Sequence, residues 1–156
     1  AGAGTTLTSG HIFAGVSQIT SNATEPGNPP IYCVLHGYQI KDIQDEVIAG
    51  VGTYTVGTGL TEQVWREGFK GMVGGAQLYE DGNVSIDSLD DAKGGVFAKD
   101  GIVLVQGRSP RAEVKRRPEL GGGATALYYY DEYAYGERSS GNWLFELYSD
   151  ATAPTS

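Results

Sequence analysis

Residues 126–148 constrain this fold more than any other stretch of the chain. They read Ala-Leu-Tyr-Tyr-Tyr-Asp-Glu-Tyr-Ala-Tyr-Gly-Glu-Arg-Ser-Ser-Gly-Asn-Trp-Leu-Phe-Glu-Leu-Tyr. The alternation predicts two aromatic strands around a tight turn. Leu127, Tyr129, Tyr133 and Tyr135 then share one face, and Tyr128 and Tyr130 the other. Much of the remaining chain is glycine-rich, with 22 of the 24 glycines and few compact apolar runs. A chain that forms sheet yet carries long unsupported arms borrows core from a neighbour, which points to an assembly subunit before an enzyme.

The 156 residues suit one domain with a sizeable core. Its division is expected to be an N-terminal arm over 1–30 and a single β domain over 31–156. The fold class expected is mostly β, an antiparallel sandwich or barrel with one short flanking helix and extended loops. Residues 1–30 are rich in Gly, Ser, Thr and Asn, and 24–30 make a strong turn or linker signal. Ile12, Phe13, Val16 and Ile19 need cover there, and an arm lying on another subunit supplies it. The start, Ala-Gly-Ala-Gly, looks like a mature end after loss of a methionine. Residues 31–35 predict a buried strand and 38–48 a second, more polar one. A glycine-bent strand follows over 51–59. A helix is expected over 61–72, capped by Thr61, with Trp65, Phe69 and Met72 on one face. Asp81-Gly82 marks a hairpin over 77–86, and Lys99-Asp100-Gly101 a further turn. Residues 102–105, Ile-Val-Leu-Val, imply burial on both faces.

The formal charge of −8 disfavours tight non-specific binding to nucleic acid or anionic membrane. No apolar run has the length of a membrane span, and no basic-then-apolar leader is visible. Cys33 stands alone in an apolar run, so it reads as a buried thiol without a disulfide or thiolate metal site.

Five of the 11 basic residues, Arg108, Arg111, Lys115, Arg116 and Arg117, gather in one stretch. Pro110 and Pro118 within it and Gly121-Gly122-Gly123 after it predict an extended loop over 107–124. Such a loop is either simply solvated or docks on an acidic surface of an identical neighbour. As a nucleic-acid site it lacks interleaved aromatics in its own sequence, and no sequence-specific nucleic-acid binding is expected. His11 and His36 have no partner at ligand spacing. Asp87, Asp90 and Asp91 lack the order of a calcium loop. No nucleophile elbow, phosphate loop or dinucleotide fingerprint occurs, so the sequence implies no catalytic residue, metal or cofactor. Asp131 and Glu132 are adjacent on a strand and point to opposite faces, which works against a hydrolase reading. Tyr128 and Tyr130 can stack on sugars, which makes a carbohydrate-binding sandwich an alternative; subunit contact is the other use of such a face.

The order of these features resembles that of small virion structural proteins of tailed bacteriophages, particularly the tail-tube or major tail protein. The features are the apolar N-terminal stretch, Asp/Gly turns, the short segment Val64-Trp65-Arg66-Glu67, the arginine-bearing loop and a final amphipathic hairpin ending in Asp150-Ala151-Thr152-Ala153-Pro154. The resemblance implies a self-assembling subunit without enzymatic activity, found in the virion and assembled in the host cytoplasm. Its partners would be identical subunits and other virion proteins, with no membrane. The long arginine loop also suits a capsid decoration or cement protein. The implied interface comprises Ile12, Phe13, Val16, Arg108, Arg111, Lys115, Arg116, Arg117, Tyr128 and Tyr130.

Overall fold

The computed structural model describes residues 2–51, 71–138 and 141–155. Its elements run α1 (Ser9–Thr20), β1 (Ile31–Leu35), α2 (Gly37–Val51), β2 (Met72–Val73), β3 (Ala76–Glu80), β4 (Asp91–Ala98), β5 (Ile102–Arg117), a 3-10 turn (Pro118–Leu120), β6 (Ala124–Glu137) and β7 (Leu144–Asp150). A five-stranded sheet has the order β2-β3-β1-β4-β7, and β5 and β6 form a separate two-stranded sheet. The mostly-β expectation holds, and neither sheet closes into a barrel among the described residues. The expected helix over 61–72, with Trp65 and Phe69, and the strand over 51–59 fall on 52–70, outside those residues. Val51 itself ends α2 and Met72 opens β2.

β1 forms where the sequence predicts it, with Ile31, Cys33 and Leu35 on the buried face. It pairs in parallel with β3 and antiparallel with β4, whose far edge takes β7. Burial pushes the Cys33 thiol up to about 12, so it stays neutral and unreactive.

The same face of the sheet is closed by the helices. In α1, Ile12, Val16 and Ile19 recur every three to four residues, which is a helical stripe and not an arm's pattern. Ile12 and Ile19 are buried in the chain's own core, as is Leu7 before them. Residues 9–20, expected as part of an extended arm, are therefore a helix that caps its own sheet. Trp143 ties down the following segment by donating its indole N–H to the Glu25 carbonyl, 2.8 Å away.

α2 replaces the strand expected over 38–48. Ile40 and Ile43 point into the core, and Lys41 bridges Asp45 one turn on, at 2.6 Å. Glu46 of α2 accepts the Ser9 backbone N–H at 2.6 Å, placing a carboxylate on the positive end of α1. Both histidines serve as local caps: His11 Nδ1 accepts from Thr8 N–H and His36 Nδ1 from Tyr38 N–H.

Gly94 of β4 marks a close approach in the core. A Cβ there would sit 2.5 Å from Leu35 Cδ2 and 3.0 Å from Gln39 Oε1. Two expected pairings are corrected. Residues 77–86 turn at Asp81-Gly82 without a hairpin, because β3 is held by β1 and β2. Likewise β7 pairs with β4, and β6 pairs with β5, so the two aromatic strands never meet.

Candidate functional site

The expected loop over 107–124 is mostly strand. β5 and β6 have 16 and 14 residues and pair along nearly their whole length. At about 3.3 Å per residue this makes an arm on the order of 50 Å long. Its tip is the 3-10 turn followed by Gly121, Gly122 and Gly123, all at positive φ, which side-chain-bearing residues rarely adopt. Arg117 closes the turn with Glu119 at 3.7 Å.

Both faces of the arm meet solvent. Pairing of Arg111 with Tyr130, Glu113 with Tyr128, Lys115 with Ala126 and Arg117 with Ala124 puts these side chains on one face. Arg108, opposite Glu132, continues the row. The guanidinium of Arg111 lies 5.2 Å from the Tyr130 ring centre, and that of Arg117 5.8 Å from Tyr128. Arg117 also donates to the Tyr128 hydroxyl. The two rings stack at 6.5 Å. Aromatic interleaving, absent from the basic stretch itself, is supplied across the strands.

The reverse face carries Leu104, Val114, Leu127, Tyr129, Tyr133 and Tyr135. Tyr129 is 76%, Tyr135 70% and Val114 67% exposed. The run 102–105, expected to be buried on both faces, is exposed throughout. A shallow cavity of about 180 Å³ is lined by Leu104, Gln106, Asp131, Tyr133 and Tyr135. Long exposed strand edges invite pairing with another chain unless blunted. β5 is guarded by Pro110, by basic side chains and by irregular register between Gln106 and Arg111; β6 has no proline, Lys or Arg.

Of the candidate interface residues, Arg108, Arg111, Lys115, Arg117, Tyr128 and Tyr130 thus come together. Arg116 falls on the reverse face. Ile12 is fully buried under the sheet, and Val16 packs against that core. Phe13, 52% exposed, stays on the surface. Leu104, Tyr133 and Tyr135 were not among the candidates. Their signal in the sequence was strand length, since strands average five or six residues.

A second charged region lies where β3 ends and β4 begins. Asp87 accepts the Tyr148 hydroxyl and the N–H groups of Leu89 and Asp91, which together hold its carboxyl below the usual range. The same bond raises the Tyr148 hydroxyl to about 12. Buried Asp91 accepts from Gly4 N–H at 2.7 Å. Asp42 is shifted upward by partial burial and by the nearby Asp150 and Asp45 carboxylates, against a hydrogen bond from Leu7. Its folded pKa lies above the unfolded value, so stability falls as pH rises through that window. Asp42→Asn should therefore raise Tm at neutral pH and make no difference well below both pKa values. Parallel melts of the two proteins across pH check this. Among the described residues no group of three or more His, Cys, Asp or Glu side chains is placed to hold a metal ion.

No protein-family model matches the chain, and no curated protein matches it. Among solved structures it is similar to a chain in the acidic stable capsid structure of Helicobacter pylori bacteriophage KHP30. The TM-score is 0.57 at 11% identity, with 96% of this chain and 60% of that chain covered. This protein thus spans less than two thirds of the capsid chain's length, and at such identity the likeness is one of fold.

Proposed function

We propose that the protein is a structural subunit of a bacteriophage virion that assembles with copies of itself through the β5–β6 arm. The observation that carries this is the arm: a long hairpin with an apolar, tyrosine-rich face and a basic one, none of which contributes to the chain's own core. Ordered apolar surface of that extent, held away from the body, marks an interaction site. The fold likeness to a KHP30 capsid chain supports a place in the capsid, as shell or cement subunit. A tail-tube subunit would use the same arm in stacked rings. In either role other virion proteins are further partners, assembly takes place in the host cytoplasm, and the protein supplies contacts and no catalysis.

Negative-stain electron microscopy of purified protein at rising concentration, with mass photometry alongside, separates these outcomes. Closed particles or curved lattices are expected. Tubes or stacked rings would move the assignment to the tail. A monomer at every concentration would remove the self-assembling reading.

A further inference from the structure

The outer part of the arm carries charge opposite to that of the body, whereas the whole arm over 102–137, with Asp131, Glu132 and Glu137 toward its root, holds five basic and five acidic residues. Residues 108–130 hold five basic residues against two acidic, a formal charge of +3. Outside 102–137 the chain holds 6 basic against 14 acidic residues, or −8. The topology also separates the two. β4 begins at Asp91 and ends at Ala98, and the arm starts at Ile102 immediately beyond that end. β1 and β3 are parallel, β4 runs against β1, and β7 runs against β4. The end of β3, the start of β4 and the end of β7 therefore lie together, opposite the arm's root. That end collects Glu80, Asp81, Asp87, Asp90, Asp91 and Asp150.

Among the described residues, Asp81, Asp87, Asp90, Asp91 and Asp150 form no ion pair with Lys or Arg. Lys93 stands nearby, 5.5 Å from the Tyr148 ring centre. Leu89, 73% exposed, and the partly exposed Ile86 offer apolar area among the acids. On the arm, Arg111 and Lys115 are exposed and likewise without an ion-pair partner, with exposed Glu113 between them on the same face.

We propose that the basic, tyrosine-bearing face of the arm docks on the acidic end of the main sheet of a second copy, joining subunits head to tail. This rests on the arm-mediated assembly proposed above and names the surface that receives the arm. Each copy carries both halves of the contact, so the contact is heterologous and propagates into a ring or lattice instead of stopping at a dimer. Tyr128 and Tyr130 meet Leu89 and Ile86, while Arg111 and Lys115 meet the carboxylates. The charges fix register and partner, and contact strength falls with added salt.

Charge exchange tests it. Arg111→Glu with Lys115→Glu reverses the arm; Asp81→Lys with Asp90→Lys reverses the acidic end. Circular dichroism and melts first establish that both variants are folded. Each alone should self-associate on the order of 100-fold more weakly than wild type, because like charges then face each other. Mixed one to one they should co-assemble, since the acidic arm of the first fits the basic end of the second and the reverse. Failure of the mixture, with wild type assembling normally, would overturn this receiving surface and leave arm-mediated assembly standing. Absence of wild-type assembly would overturn both. A fluorescent single-stranded RNA 20-mer serves as the competing probe. If it binds wild type and not the arm-reversed variant, while self-association is unchanged, the arm's partner is nucleic acid and the proposal falls.

Discussion

Excising the arm should abolish self-assembly and leave a folded body. The cut replaces residues 104–135 with Asn-Gly, so that Val103 and Gly136, already paired across the hairpin, are joined by a two-residue turn. No residue of β5 or β6 belongs to the core cluster. Every described side chain between 102 and 137 is exposed or at most half-buried. The lost stability is confined to the hairpin's own pairing, and a two-stranded ribbon alone is marginal in water. Tm should therefore shift by only about 2–4 °C, the change expected for roughly 1 kcal/mol in a chain of this size. Sedimentation velocity should show a monomer where wild type associates. Solubility should also rise, because the cut removes exposed Leu104, Tyr129, Tyr133 and Tyr135. A truncated chain that melts broadly, or far below wild type, would mean that the arm is part of the body's fold. Truncated protein that still assembles would place the interface elsewhere.

The elements legible in the sequence were those whose partners lie within the chain and whose pattern is unambiguous. Ile31–Leu35 is the clear case: a short apolar run became the central strand, with Cys33 buried. The alternation of tyrosines in β6 also placed Tyr128 and Tyr130 opposite Tyr129 and Tyr133. The helices were obscured by composition. Gly, Ser and Thr in α1 lower helix propensity, yet Ile12, Val16 and Ile19 kept helical spacing and tertiary packing completed the rest. In α2, Ile40 and Ile43 are three apart, a spacing that conflicts with the strand expected there. Strand partners were harder, because pairing depends on contacts far apart in sequence. Two neighbouring aromatic strands suggest a hairpin, but β7 finds its register on β4 and β6 on β5.

The run Ile102-Val103-Leu104-Val105 shows a different limit. Its apolar character announces burial without saying in which molecule, and within this chain it stays exposed. The same ambiguity affected the basic stretch. Pro110 and Pro118 suggested a loop, yet Pro110 sits within β5, where the register with β6 is interrupted. The ten candidate interface residues accordingly divide by physics: those of the arm are accessible for contact, whereas Ile12 serves its own sheet.

Gln39 holds the body together, and its removal should produce the largest loss of stability. Its side chain is fully buried at the start of α2. The two Nε2 hydrogens are directed at Ser149 Oγ at 2.6 Å and Ala92 O at 3.1 Å, with Leu147 O at 3.3 Å sharing one of them, while Oε1 accepts from His36 N–H at 3.1 Å. One amide thus links the helix to β4 and β7. Gln39→Ala strands the His36 N–H and the Ser149 hydroxyl and opens a cavity beside Gly94. Unsatisfied buried groups cost about 1–3 kcal/mol each, so a total of roughly 3–4 kcal/mol and a fall in Tm of about 10 °C follow. Denaturant and thermal melts measure it. Gln39→Glu separates hydrogen bonding from volume. A carboxylate of the same size would face two carbonyl oxygens without a cation, so its folded pKa must rise above the unfolded value. Its stability should then be greatest at low pH, where the acid still donates one hydrogen bond, and decline as pH rises through that window. If Gln39→Glu instead matches wild type at neutral pH, the amide is not donating to those carbonyls, and packing alone joins α2 to the sheet.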